Sequence, residues 1–152
     1  MRKYGKRYFI SLLASAIVMY GLSYCWHGLF LNDYQLIQYP LGIFLSAAAL
    51  AYLMIGAVLG RLFIAPQLDR VSRHPLLRGP VAGVITGIAV YILALVIGVS
   101  YNKELDLKFI VMDVVWQAIE QAIGGFVTGL VYMFVYEPFY VPQEIEQHED
   151  LP

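Results

Sequence analysis

The segment MDVVWQAIEQAIGG, residues 112–125, lies inside the last of four long apolar blocks and carries two acids and two glutamines. These four residues are Asp113, Gln117, Glu120 and Gln121. Acidic side chains in a membrane-spanning segment almost always face the bundle interior or a water-filled cavity, because exposure to lipid is costly. If this block crosses a membrane, its polar side must therefore pack against other helices or a partner.

The composition favours a membrane protein over a soluble one. Of the 152 residues, 60% are hydrophobic, whereas a soluble domain is usually about 45–50% apolar. Each apolar block is long enough to cross a hydrocarbon core, which takes about 20 residues. We predict an all-α protein, a four-transmembrane-helix bundle over residues 1–138, with helices at about 8–30, 41–64, 79–99 and 109–136.

The basic residues predict the orientation of the bundle. One group precedes the first block and another lies around the connection between the second and third blocks: Arg2, Lys3, Lys6 and Arg7, then Arg61, Arg70, Arg73 and Arg78. By the positive-inside rule both groups are cytoplasmic. We therefore expect an inner-membrane protein with both termini in the cytoplasm and an acidic, mobile cytoplasmic tail at residues 139–152.

Small residues recur at a spacing of four in three of the predicted helices. The glycines concerned are Gly56 and Gly60, then Gly79, Gly83 and Gly87, then Gly125 and Gly129. Such spacing lets helix backbones approach closely in a membrane. It is compatible with a homodimer face or with packing inside one four-helix bundle, and the second interpretation is favoured because glycine-rich membrane helices are common.

The polar residues of the last helix fall on one side of it. At about 100° per residue, Gln117 lies about 40° and Glu120 about −20° from Asp113. Counted inward from Lys108, Asp113 lies about 7 Å deep and Glu120 about 18 Å deep, near the centre of the bilayer. A charged carboxylate is costly at that depth without a partner or water, so the sequence favours a neutral Glu120.

Candidate partners for these acids lie on other predicted helices. His27, near the end of the first helix, is expected at the depth of Asp113. No basic residue lies near the centre of a predicted helix, so Glu120 has no evident salt-bridge partner in the sequence. The hydroxyl groups of Ser15 and Tyr20 are expected to reach the level of Glu120, and Thr86 and Tyr91 on the third helix are further candidates.

Three interpretations of this polar set stay open. The polar side chains can fix the register of the helices by hydrogen bonding. Alternatively, His27, Asp113 and Glu120 can form a proton or cation path, a common role for intramembrane acids. In the third interpretation the stripe binds a polar group of a substrate or a partner subunit.

The sequence contains no HExxH, CxxC, P-loop or GxSxG motif, and we expect neither catalysis nor a cofactor. The single cysteine, Cys25, excludes an internal disulfide and a cysteine-based metal cluster, and we predict no metal site. His27 can in principle ligate haem or chlorophyll, but no second histidine lies within a predicted helix. The aromatic residues Trp26 and Trp116 are interpreted as part of an interfacial belt.

The stretches YCWHG, residues 24–28, and LNDY, residues 31–34, resemble a group of small uncharacterised bacterial four-helix integral membrane proteins of unknown function. In that group a Trp-His-Gly stretch ends the first helix and an Asp-Tyr follows shortly. The glycines Gly124, Gly125 and Gly129 with Tyr132 in the last helix also fit. The resemblance implies a membrane location and a four-helix fold, and no activity.

The leading functional hypothesis is a non-enzymatic structural or accessory protein that packs with itself or with a larger membrane complex. The alternative is a small proton- or cation-coupled transporter or channel that uses Glu120 at mid-membrane. The expected partners are the lipid bilayer and other membrane subunits, and nucleic acid is not among them.

Overall fold

The computed structural model describes residues 5–101 and 107–135, and their regular structure is entirely helical. The long helices are α1, Lys6–Ser23; α2, Leu41–Phe63; α3, Pro75–Tyr101; and α4, Leu107–Phe134. A π-helical segment, Tyr24–Phe30, continues α1, and short 3₁₀ helices occupy Asp33–Leu36 and Pro66–Arg70. The all-α prediction is confirmed for this part of the chain, whereas the predicted acidic tail at 139–152 lies outside it.

Among the described residues, four helical stretches are long and apolar enough to cross a membrane, as expected for an integral membrane protein. They are Lys6–Phe30, Leu41–Phe63, Pro75–Ile97 and Ile110–Phe134. The first of them includes the π-helical segment, so the predicted helix at 8–30 is present but changes its hydrogen-bond register near its end.

The third helix begins earlier than the sequence predicted. Its first residue is Pro75, whereas we predicted a start at about residue 79. Proline is favoured at the first helical position because its missing N–H has no intrahelical partner there. The carbonyl group of His74 accepts hydrogen bonds from the backbone N–H groups of Leu77 and Arg78, which closes this first turn.

The four helices pack as an antiparallel bundle in which α3 and α4 make the most extensive contact. Helix α1 packs between α2 and α4, and α2 also contacts α3. At one end the Arg7 side chain donates a hydrogen bond to the Val135 carbonyl group. We call this end, which also carries Arg61 and Arg78, the basic end, and the end that carries His27 the histidine end.

The seam between α3 and α4 is a backbone-to-backbone contact. A Cβ atom added at Gly79 would overlap the carbonyl group of Gly125, and one added at Gly125 would overlap that of Gly79. At Gly83 an added Cβ would overlap the Gln121 carbonyl group. Any side chain larger than hydrogen at these positions would therefore push the two helices apart.

The same seam extends in both directions. A Cβ added at Gly87 would lie 2.7 Å from the Gln117 carbonyl oxygen. At Gly129 it would lie 2.5 Å from the carbonyl oxygen of Pro75. The α3–α4 contact therefore runs over the length of the glycine spacing.

The remaining glycine pair serves the contact between α1 and α2. A Cβ added at Gly56 would lie 3.0 Å from the Leu12 carbonyl oxygen, and one at Gly60 would lie 3.0 Å from the Tyr8 ring. The Tyr8 hydroxyl donates a hydrogen bond to the Ala57 carbonyl group across the same contact. All seven glycines that the sequence analysis named for packing thus lie between helices of one chain.

Substitution of Gly83 by alanine tests this seam. We expect Gly83→Ala to lower the free energy of unfolding by about 1–3 kcal/mol or more, the usual cost of inserting atoms into a packed core. The matched control is Gly21→Ala on α1, where an added Cβ meets nothing within 4 Å. Thermal unfolding in detergent, followed by circular dichroism, measures both variants. An equal midpoint for Gly83→Ala and wild type would contradict the close α3–α4 contact.

Candidate functional site

Glu120 lies midway along α4 and is buried, with 1% of its surface exposed. Its neighbour Gln121 is fully buried. The packing of Gly83 over the Gln121 backbone fixes the rotation of α4 against α3. Because successive residues on a helix point about 100° apart, Glu120 is turned away from this seam toward the bundle interior.

In the part of the chain that the structure describes, three side chains interact with the Glu120 carboxyl group. Tyr52 of α2 and Trp116 and Gln121 of α4 interact with it. Gln121 Nε2 donates a hydrogen bond of 3.3 Å to Glu120 Oε1. Tyr52 also interacts with the Ser23 hydroxyl at the end of α1, so α1, α2 and α4 all contribute to this centre.

Several polar atoms of this region are buried without a hydrogen-bond partner of normal geometry among the described residues. The acceptors are Glu120 Oε2 and Gln121 Oε1, and the donors are the indole N–H groups of Trp26 and Trp116. Buried polar atoms are nearly always hydrogen-bonded, because an unpaired one keeps its full desolvation penalty. The Tyr52 and Trp116 groups that interact with the Glu120 carboxyl group therefore leave part of its hydrogen-bonding capacity unused in this arrangement.

The two tryptophans stack on each other. The ring centroids of Trp26 and Trp116 are 4.1 Å apart and their planes differ by 11°. Trp26 belongs to the π-helical segment, and π-helical turns within α-helices are frequently found at functional sites. The interpretation of these residues as a simple interfacial belt missed this contact, which only the packing of α1 against α4 creates.

A second polar cluster lies at the histidine end. His27 Nδ1 and Asp33 Oδ2 are 2.9 Å apart, and both side chains are partly exposed. Both interact electrostatically with the Asp113 carboxyl group, as expected for His27 from its depth. Asp33 was not among the predicted site residues, and its position shortly after the end of the first helix was the available signal.

The predicted polar stripe of α4 is divided between two neighbouring contacts. Gln117 and Gln121 lie on the side that packs against Gly87 of α3. Gly124, one turn from Glu120, packs against Met19 of α1 instead. Gln117 and Gln121 therefore form a row that faces α3. A second row, which includes the buried Glu120 carboxyl group, faces the other helices.

The hydroxyl groups expected to reach Glu120 have other partners. Ser15 donates to the Leu12 carbonyl group, Tyr20 to that of Leu45 and Thr86 to that of Ala82. Tyr91 interacts electrostatically with Asp113 rather than with Glu120. Among the described residues the partner on a different helix is Tyr52, which the sequence analysis missed, although a hydroxyl group near the middle of a largely apolar helix was a usable signal.

Positive charge is remote from this centre. The sequence has no lysine or arginine within residues 8–60, 79–102 or 109–152. At the basic end, Arg78 forms an ion pair with Asp69 and donates a hydrogen bond to the Ala65 carbonyl group. In the part of the chain that the structure describes, no group of three or more His, Cys, Asp or Glu side chains is placed to hold a metal ion.

No protein-family model, curated protein or solved structure matches this chain.

The spectrum of the tryptophan pair tests the site geometry, since the chain contains two tryptophans in all. We expect the loss of near-ultraviolet circular dichroism on replacing both tryptophans by phenylalanine to differ from the sum of the losses in Trp26→Phe and Trp116→Phe, because stacked indoles couple. Tyr39→Phe, at an exposed position, is the control and should leave the coupled signal unchanged. Additive single-tryptophan spectra would show that the rings do not stack.

Proposed function

We propose that this chain is a small proton- or cation-coupled membrane transporter in which Glu120 is the coupling residue. The observation that carries this proposal is the buried Glu120 carboxyl group, whose Oε2 atom has no hydrogen-bond partner of normal geometry among the described residues. A carboxyl group used only to fix helix register would be expected to have its hydrogen bonds completed by neighbouring helices. Intramembrane acids that line a pathway commonly serve as proton or ion relays.

The order of the polar groups along the bundle supports a pathway. His27, Asp33 and Asp113 interact at the histidine end. Asp113 and Glu120 are separated by two turns of α4, about 10 Å at about 1.5 Å per residue. Trp116 lies between them in the sequence and contacts the Glu120 carboxyl group. In the proposed pathway, a cation enters at the histidine end and passes the tryptophan pair to reach Glu120.

The proposed orientation places this entrance outside the cell. The positive-inside rule applied to the basic groups around α1 and between α2 and α3 puts both termini in the cytoplasm of a bacterial inner membrane. Arg61 in the last turn of α2 and Arg70 in the following connection support this orientation. The histidine end then faces the periplasm.

We also propose that the chain belongs with the small bacterial four-helix proteins that it resembles. The two halves of the shared motif contact each other: His27 pairs with Asp33, and a Cβ added at Gly28 would lie 2.8 Å from the Tyr34 ring. Burial raises the pKa of the Tyr34 hydroxyl group. These contacts give the spacing of the motif a physical reason, because they fold the connection after the first helix back onto its end.

A flux assay in proteoliposomes tests the coupling role of Glu120. We expect wild type to dissipate an imposed proton or cation gradient and Glu120→Gln to reduce the flux to that of empty liposomes, because the amide cannot ionise. Glu120→Asp keeps the carboxyl group and should retain part of the flux. Asp69→Asn, a carboxyl-to-amide change in an exposed connection at the basic end, is the control and should transport like wild type. Equal flux from Glu120→Gln and wild type would contradict the proposal.

An accessory role is the second candidate, and the exposure of α2 favours it. Only 6% of the membrane-spanning window of α2 is buried inside the chain, against 22–28% for the other three helices. Its exposed first half includes the small residues Gly42, Ser46 and Ala47, which allow another helix to approach closely. In this role the chain would pack with a second copy or with a larger complex through α2.

Cysteine cross-linking in native membranes tests self-association through α2. In a Cys25→Ser background, we expect Ser46→Cys to give a cross-linked dimer because the partner helix would pack over this position. Ala89→Cys on α3, which is also exposed to lipid, is the matched control and should stay monomeric. Cross-linking at neither position, or equally at both, would count against a specific α2 interface.

A further inference from the structure

We infer that the centre formed by Glu120, Gln121, Tyr52 and Trp116 binds a small planar organic cation with several N–H groups, of the guanidinium class. This inference rests on the proposed function, because it names the class of cation that the transporter would take. It depends on three independent properties of the centre: its unpaired acceptors, its uncompensated acid and its aromatic lining.

The first property is an excess of acceptor capacity. Glu120 Oε2 and Gln121 Oε1 are adjacent in the sequence, both are buried, and neither receives a hydrogen bond of normal geometry among the described residues. An ionised carboxylate can accept about four hydrogen bonds and an amide oxygen two. Gln121 Nε2 donates one hydrogen bond to Glu120 Oε1, and the Tyr52 hydroxyl and Trp116 N–H groups interact with the same carboxyl group. A ligand that satisfies the rest must bring several N–H or O–H donors.

The second property is the sign and amount of charge. Glu120 is the one acidic residue of α4 in the interior of the bundle, and residues 109–152 contain no lysine or arginine to neutralise it. One carboxylate and one amide supply too few oxygen ligands for calcium or magnesium, which take about six to eight. The centre therefore fits a singly charged cation that forms directional hydrogen bonds.

The third property is the aromatic surface beside the carboxyl group. The Trp116 N–H group interacts with the Glu120 carboxyl group, and the Trp116 ring stacks on Trp26. Tyr52 approaches the same carboxyl group from α2, and its ring packs edge-on against Tyr20 at a centroid distance of 6.0 Å. Aromatic rings attract cations through their faces. A guanidinium group is planar, stacks on such rings and pairs with a carboxylate through two parallel N–H bonds.

The packing of the bundle gives this ligand one direction of approach. Toward the basic end, Met19 closes over Gly124, and the Phe63 and Tyr132 rings pack at a centroid distance of 4.6 Å. Toward the histidine end lie the carboxyl groups of Asp33 and Asp113, which attract cations. The ligand would therefore reach Glu120 from the histidine end by displacing one tryptophan of the stacked pair.

Because the ligand would displace one of the two stacked tryptophans, tryptophan fluorescence is expected to change when it binds. We propose titrating the full-length protein in detergent with guanidinium chloride at millimolar concentrations and constant ionic strength, and recording tryptophan fluorescence. Urea is planar and rich in N–H groups but neutral, and tetramethylammonium is a cation without N–H groups. The inference predicts a saturable fluorescence change with guanidinium and none with urea or tetramethylammonium over the same range.

Substitutions in the centre test which residues bind guanidinium. We expect Glu120→Gln to weaken guanidinium binding by about tenfold or more, since hydrogen bonds to charged groups are the stronger kind. Gln121→Leu removes the second acceptor and should weaken binding less, and it provides a second test if Glu120→Gln fails to fold. Asp69→Asn is the control and should bind like wild type. An equal response to urea or to tetramethylammonium, a non-saturable response, or unchanged binding by both centre variants would each overturn the inference.

The binding assay can contradict the inferred ligand without contradicting the proposed function, and the flux assay can do the reverse. Proton flux that depends on Glu120, without saturable guanidinium binding, would overturn this inference and leave the proposed function intact. Guanidinium binding that depends on Glu120, in a protein that dissipates no gradient in liposomes, would overturn the proposed function and support a binding role for the same centre.

Discussion

The backbone contact between α3 and α4 is the constraint on which the rest of the structure depends. Lipid offers no hydrophobic drive between helices, so close packing and hydrogen bonding hold a membrane bundle together. Here the carbonyl groups of Gly125 and Gln121 lie directly against Gly79 and Gly83, which fixes both the distance and the rotation of the two helices. That rotation then decides which side chains of α4 face the other half of the bundle.

The polar centre follows from this rotation. With Gln121 held at the α3 seam, the Glu120 carboxyl group points toward Tyr52 of α2 and toward the end of α1, where Ser23 interacts with Tyr52. The same rotation brings Trp116 onto Trp26. A carboxyl group, an amide and two indoles are thus gathered at mid-bundle with part of their hydrogen-bonding capacity unused. Burying such groups costs stability, and a binding or relay role is a physical reason for a protein to keep them.

The two proposed functions use different surfaces of the molecule. The proposed transport would use the interior, where the Glu120 centre lies two turns of α4 from Asp113, which interacts with His27 and Asp33. An accessory role uses the outside of α2, because the glycines on which the sequence hypothesis of self-association depended are occupied within the chain. The interior is the more specific feature, since exposed apolar residues on a membrane helix are expected to face lipid.

The sequence by itself determined the class of protein, the four helices and the burial of Glu120. Length, hydropathy and the cost of an acid in lipid are local or one-dimensional properties, and they can be read from the order of residues alone. The sequence could not identify Tyr52 as the partner of Glu120, pair His27 with Asp33, or stack Trp26 on Trp116. Each of these contacts joins separate segments, and each depends on helix rotations and on the π-helical register of Tyr24–Phe30. The start of α3 at Pro75 was likewise decided by the turn that His74 closes. Only the tertiary structure decided these features, because helical periodicity shows which residues share a face but not which neighbouring helix that face meets.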